Sequence, residues 1–110
     1  MLKFITLLNR KPGLTPEEFY QYWEERHGPL AARLMPGMKR YVQKHVVRSP
    51  GAEEPPFDGA AEVWYEGSWD ELFAWYSSAA GRELRDDELK FIDTSRWITL
   101  MVDEKVIKGD

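Results

Sequence analysis

The sequence predicts an α+β fold, a single domain over 1–110 in which a four-stranded antiparallel sheet carries helices on one face. Three observations predict it. Runs with strand character occupy 2–8, 38–47, 60–65 and 96–107. Two capping boxes, Thr15-Pro16-Glu17-Glu18 and Ser68-Trp69-Asp70-Glu71, open helical segments between those runs. A chain of 110 residues holds one hydrophobic core, which excludes a doubly wound nucleotide-binding sheet or an eight-fold barrel.

Residues 2–8 are short, apolar and closed by Lys11-Pro12-Gly13, the pattern of a buried strand. Thr15 caps the next segment, Pro16 suits the first helical position, and Glu18 reaches back to complete the box. Phe19, Trp23, Leu30 and Leu34 then recur at helical spacing, with Glu17, Gln21, Glu24 and Glu25 on the wet side. Gly28-Pro29 is expected to kink or break this helix. Pro29 has no donor for the carbonyl of Glu25, and it pushes Gly28 off helical dihedrals. A last turn runs to about Leu34, and the chain turns at Pro36-Gly37. Residues 38–47 alternate as a strand, with Lys39, Tyr41, Gln43 and His45 on one face and Met38, Val42 and Val46 on the other. Residues 48–58, proline-rich and acidic, are a surface loop and a candidate lid. In the third strand, 60–65, Glu62 and Trp64 share a face. Ser68 leads Leu72, Phe73, Trp75 and Tyr76 into helix, 77–81 interrupts it, and 82–89 is helical again. Arg82, Arg85, Asp86 and Asp87 read there as a solvated face. The last strand, 96–107, sets Ile98, Leu100 and Val102 on one side. The order βαββαβ is that of a ferredoxin-like sandwich.

Composition narrows the function. Net charge is −4 with no basic run, against a nucleic-acid partner. With no cysteine there is no disulfide framework and no thiolate nucleophile. The apolar start is too short for a membrane span and lacks a cleavage site, so a soluble, cytoplasmic protein is expected. Aromatic residues make up 14% of the chain, more than so small a core uses, which points to a cavity or a subunit contact. The sheet face away from the helices is expected to carry Tyr41, Gln43, His45, Glu62 and Trp64. Covering that mixed face with a second copy would close a barrel, so a homodimer is expected.

The spaced residues Arg10-Lys11-Pro12-Gly13-Leu14-Thr15, Glu18-Phe19, Tyr22-Trp23, His27-Gly28-Pro29-Leu30, Pro36-Gly37 and Tyr41-Val42-Gln43 resemble the EthD family. Asp58-Gly59, Ala61-Glu62, Trp64, Phe91-Ile92-Asp93 and Glu104 agree with it. The resemblance covers the chain except 48–57. It implies a dimeric α+β barrel with a pocket between sheet and helices in each subunit. Relatives include methylmuconolactone isomerases and fungal polyketide decarboxylases or dehydratases, which use acid–base chemistry on aromatic or lactone-like substrates without metal or organic cofactor. The family's name comes from ether degradation, which also leaves open an accessory or binding protein of an oxidative pathway, or a small barrel monooxygenase. The isomerases use a cysteine, and this chain has none.

His27 is the candidate proton carrier. It follows Trp23 by one turn on the apolar stripe, where a helix end favours the charged ring and burial opposes it. A histidine bonded to carbonyls freed at the kink is the competing reading. Trp23, Tyr41, Gln43, His45, Glu62 and Trp64 are candidates to hold a substrate's oxygens and ring, against a polar cross-strand ladder. Asp93 either joins them or caps a turn. Two histidines with no cysteine and no close spacing make a poor metal site, and no cofactor is expected. Haem, held through one histidine, is compatible with a barrel of this shape. The expected ligand is a small, apolar, oxygenated ring.

Overall fold

The computed structural model describes residues 1–109. Strand β1 is Leu2–Leu8, β2 Met38–His45, β3 Gly59–Tyr65 and β4 Ile98–Val102. Helix α1 is Pro16–Tyr22, α2 Gly28–Leu34, α3 Trp69–Tyr76 and α4 Ala79–Glu88. All pairings are antiparallel in the order β2-β3-β1-β4, the expected ferredoxin-like sheet. Among the described residues no helix is long and apolar enough to cross a membrane.

Both capping boxes form. Thr15 Oγ1 accepts from the Glu18 N–H at 3.1 Å while Glu18 accepts from the Thr15 N–H at 2.9 Å. Ser68 and Glu71 repeat the exchange at 3.1 and 3.3 Å. Each box satisfies orphan donors at a helix start and fixes where the chain enters it.

The first helical segment departs from expectation. It does not break at Gly28-Pro29. Gly28 stays helical at φ −56° and ψ −54°, and the disturbance lies earlier, in a π-helical turn over Trp23–His27. That wide turn sends the Gly28 N–H to the Trp23 carbonyl and leaves Pro29 in the first turn of α2, where a missing donor costs least. A side chain at Gly28 would meet the Gln43 amide, 2.7 Å from a built Cβ, so glycine lets β2 approach the turn.

A second correction concerns β2. A bulge between Met38 and Arg40 resets its alternation, so Met38 packs into the core together with Tyr41. Tyr41 then pairs with Val63 and Gln43 with Ala61, whereas Val42 pairs with Glu62 and Arg40 with Trp64. Residues directly opposite share a face. Tyr41, Gln43 and His45 therefore lie under the helices, and Glu62 and Trp64 lie on the opposite face. The sequence expectation sets all five on the face away from the helices; the bulge and the alternation divide them.

The remaining differences are at ends. The second interruption is only Ser77-Ser78, because the Ser78 hydroxyl caps α4 by accepting from the Gly81 N–H at 3.3 Å. Strand β4 starts after a 3-10 turn, Thr94–Arg96, and stops at Val102 rather than near 107. Its last partner is Lys3, one residue inside the start of β1, so little backbone remains to pair. The core has two adjoining clusters. Ala31, Met35, Val63, Tyr65, Leu72 and Leu84 form one, and Leu8, Phe19, Trp23, Phe91 and Ile92 the other.

The outer sheet face carries a charged aromatic cluster. Lys3 pairs with Glu62 and Glu104, each at 2.8 Å, and its ammonium sits 4.0 Å from the centre of the Trp64 ring. Ile98 and Leu100, beside it, are 42% and 46% exposed.

The 48–58 loop is tied down at one end. Arg10 and Arg48 both converge on the buried Asp58 carboxylate, and Arg48 also binds Glu54 at 2.8 Å. The second Asp58 oxygen accepts from the Arg10 N–H at 2.7 Å. Asp58→Asn leaves two guanidiniums sharing a neutral amide and turns a donor toward a donor. The expected loss is about 2 kcal/mol, below the figure for a fully buried pair because both arginines reach solvent. Thermal unfolding checks it, with a midpoint lower by about 8 °C.

Candidate functional site

Between the sheet and the helices lies a cavity of about 280 Å³. Phe4, Ala31, Val63, Leu72 and Leu84 supply apolar wall, and Trp69 and Phe73 stand beside it from α3. Few polar groups interrupt that surface. His27, Tyr41, Tyr76 and Glu88 come from the π turn, β2, α3 and α4, and Thr6 and Thr99 from β1 and β4. No residue of the 48–57 loop lines it, so the loop does not lid this cavity.

His27, at the end of the π turn, is 5% exposed. Its Nδ1 lies 2.9 Å from Asp87 Oδ2, and the other Asp87 oxygen accepts from the Tyr22 hydroxyl at 2.6 Å. Burial lowers the His27 pKa and outweighs the pull of Asp87. The neutral ring that results donates Nδ1–H to Asp87, which leaves Nε2 as a lone-pair acceptor. Burial works against the Asp87 charge as well, but hydrogen bonds from Tyr22 and His27 hold that carboxyl below its ordinary range. The competing reading, a histidine bonded to freed carbonyls, does not match this arrangement: the partner is a side chain from another helix.

Glu88 Oε2 lies 4.0 Å from His27 Nε2. Burial raises the Glu88 pKa to about 7, against a hydrogen bond from Tyr76 at 2.7 Å and the charge of Arg85. Two ionisable groups of opposite habit thus meet at one end of an apolar cavity. One is a neutral base, and the other is an acid that keeps its proton near neutrality.

Tyr41 lies in the wall shared with a wider, open groove of about 720 Å³. Its hydroxyl accepts from Trp23 Nε1 and Gln43 Nε2, both at 3.1 Å. Gln43 also binds the Trp23 carbonyl at 2.9 Å, one of the groups displaced by the π turn. Gln43 and His45 border the open groove, not the cavity. The His45 ring is held between Tyr20 and Trp23, with both centroids at 4.8 Å, and its Nε2 meets Gln43 at 2.9 Å.

Of the residues singled out from the sequence, His27, Trp23 and Tyr41 come together at the cavity. Glu62 and Trp64 are across the sheet. Asp93 caps the 3-10 turn, accepting from the Ser95 N–H at 3.1 Å, beside a separate polar cleft. Sequence reasoning misses Asp87 and Glu88: both are buried, where a solvated face is expected at Asp87. A signal was present: Leu84, Asp87, Glu88 and Phe91 fall at i, i+3, i+4 and i+7, which places both carboxylates on an apolar stripe.

Fold and site together define an α+β domain with a deep apolar cavity and an acid–base pair at its end. The chain belongs to the EthD family: the EthD domain matches residues 11–95. No curated relative matches it. Among solved structures it is similar to an EthD family protein of Bacillus halodurans, with 21% identity and a TM-score of 0.71, covering 96% of this chain and 100% of that one. A protein of Arabidopsis thaliana gives 16% identity and 0.70, covering 99% and 100%. A ferredoxin-like protein of unknown function from Thermobifida fusca, described as dimeric, gives 15% and 0.58, covering 92% and 88%.

Proposed function

We propose that this protein is an acid–base enzyme, an isomerase, lyase or dehydratase, that moves a proton on a small, apolar, oxygenated ring. The observation that carries it is the neutral His27 Nε2 beside a Glu88 carboxyl whose pKa is raised to about 7. Nε2 takes the proton, and Glu88 returns one to the substrate. Asp87 and Tyr22 are positioning residues that fix the tautomer, and Tyr76 holds Glu88. A cavity of about 280 Å³ suits one or two fused rings. The same reading makes the protein a homodimer, formed through the sheet face that bears Ile98 and Leu100. The description of the Thermobifida fusca relative as dimeric supports that assembly.

The test is deuterium exchange at the acidic carbon of 2-tetralone in heavy water, followed by proton NMR. The protein is expected to speed exchange at C1 well beyond buffer alone. Exchange at the buffer rate, with the ketone bound, leaves a binding protein and sinks the enzyme reading.

A further inference from the structure

We infer that the cavity takes an electrically neutral ring with an acidic C–H beside a carbonyl, and rejects the matching carboxylate. This rests on the acid–base reading above and adds the charge that the substrate must carry.

No lysine or arginine lines the cavity among the described residues. Its ionisable groups are His27, Tyr41, Tyr76 and Glu88, all neutral or negative near pH 7. Behind His27 stands Asp87, whose charge faces the same space through the ring. The nearest cations stand outside the cavity wall. Arg85 lies over the Tyr76 ring, 5.6 Å from its centre, and donates to the Tyr76 carbonyl, while Lys90 is 3.6 Å from Asp87. An entering carboxylate would lose its water, meet two acidic side chains and find no cation on the wall to pair with, Arg85 acting only from behind Glu88 and Tyr76.

A neutral carbonyl compound meets a different site. The Tyr41 hydroxyl already accepts two hydrogen bonds, so its own proton is free for a ligand. In the proposed step the C–H bond breaks, its proton goes to His27 Nε2, and its electron pair passes to the carbonyl oxygen. The enolate oxygen is held by the Tyr41 O–H or the Glu88 carboxyl proton. The new imidazolium faces Asp87 at 2.9 Å. Charge arises only after binding, beside a partner already in place.

Binding of methyl 2-naphthoate and of 2-naphthoate at pH 7.5, read by calorimetry, tests the inference. The ester is expected to bind at least tenfold more tightly. A carboxylate that binds as well as the ester overturns neutrality, even if 2-tetralone still exchanges. Exchange at the buffer rate with the ester preference intact overturns the enzyme reading and leaves the charge selection standing. Binding of neither compound overturns the charge selection and leaves the enzyme reading to the exchange experiment. Thr99→Lys, at an exposed position on the cavity wall, brings a cation to it and is expected to erase the ester preference. An unchanged ratio in that variant shows that charge does not set it, and overturns the inference.

Discussion

Replacing His27 with glutamine is expected to slow proton exchange on a bound ketone by about 10²–10⁴-fold while changing its dissociation constant by less than about threefold. Glutamine can still donate to Asp87, but it has no basic lone pair. Asp87→Asn separates positioning from chemistry. It leaves His27 in place and removes the acceptor that fixes its tautomer. The rate is expected to fall by about tenfold to 100-fold, with the low-pH limb of its profile displaced. That limb rises as His27 loses its proton, below the ordinary histidine range because burial opposes the charge. The upper limb falls near pH 7, as Glu88 ionises. Stopped or quenched exchange across pH 5–9 reads both limbs. A flat profile would remove His27 and Glu88 from the chemistry.

Glu88→Gln is expected to stabilise the protein at pH 8 and to do little below pH 4.5. Burial raises the Glu88 pKa from 4.5 to about 7, so the folded state holds a proton that the unfolded chain gives up. Stability linked to that proton is full below about pH 4.5 and is lost as pH rises through about 7. At about 1.4 kcal/mol per pH unit the loss is about 3 kcal/mol. The groups facing Glu88 are the Tyr76 hydroxyl, which donates to it, Arg85 and Asp87, whose charges oppose one another, and His27 Nε2. His27 has the opposite slope, because its depressed pKa costs stability as pH falls. The difference between variant and wild type isolates Glu88. Denaturant titrations at half-unit steps from pH 4 to pH 8.5 are expected to show it growing in favour of glutamine. No growth, or growth of the other sign, means the carboxyl is ionised throughout. The amide keeps an oxygen for Tyr76, so the packing is preserved.

The element order was legible because each helix start is written in four residues and each strand in a short apolar run. His27 was legible too, because a polar ring on the stripe of Phe19 and Trp23 has no solvated place to go. Two things were not. The bulge at Met38/Arg40 shifts side chains by one position, and no residue type between 38 and 40 announces it. That shift moved Tyr41 under the helices and separated it from Trp64. Asp87 and Glu88 were hidden by composition, because Asp86 is exposed and an acidic run reads as wet. Their spacing from Leu84 and Phe91 carried the information that the charge count concealed.

The π turn has a consequence for what lengths of chain can fold here. Phe19, Trp23, His27, Ala31 and Met35 are all buried, and each follows the last by four positions. On a regular α-helix, positions four apart drift by about 40° each time, so such a column would wind away from the sheet. The five residues Trp23–His27 turn more slowly and bring it back into phase. They act as a one-residue insertion written into the helix. Deleting one residue among Glu24, Glu25 and Arg26 would leave Trp23 and His27 three positions apart on a regular helix, about 60° from one another, so both would stay on the buried face. A deletion outside the π turn has no such slack: it would turn everything beyond it by about 100° and carry one half of the column off the sheet.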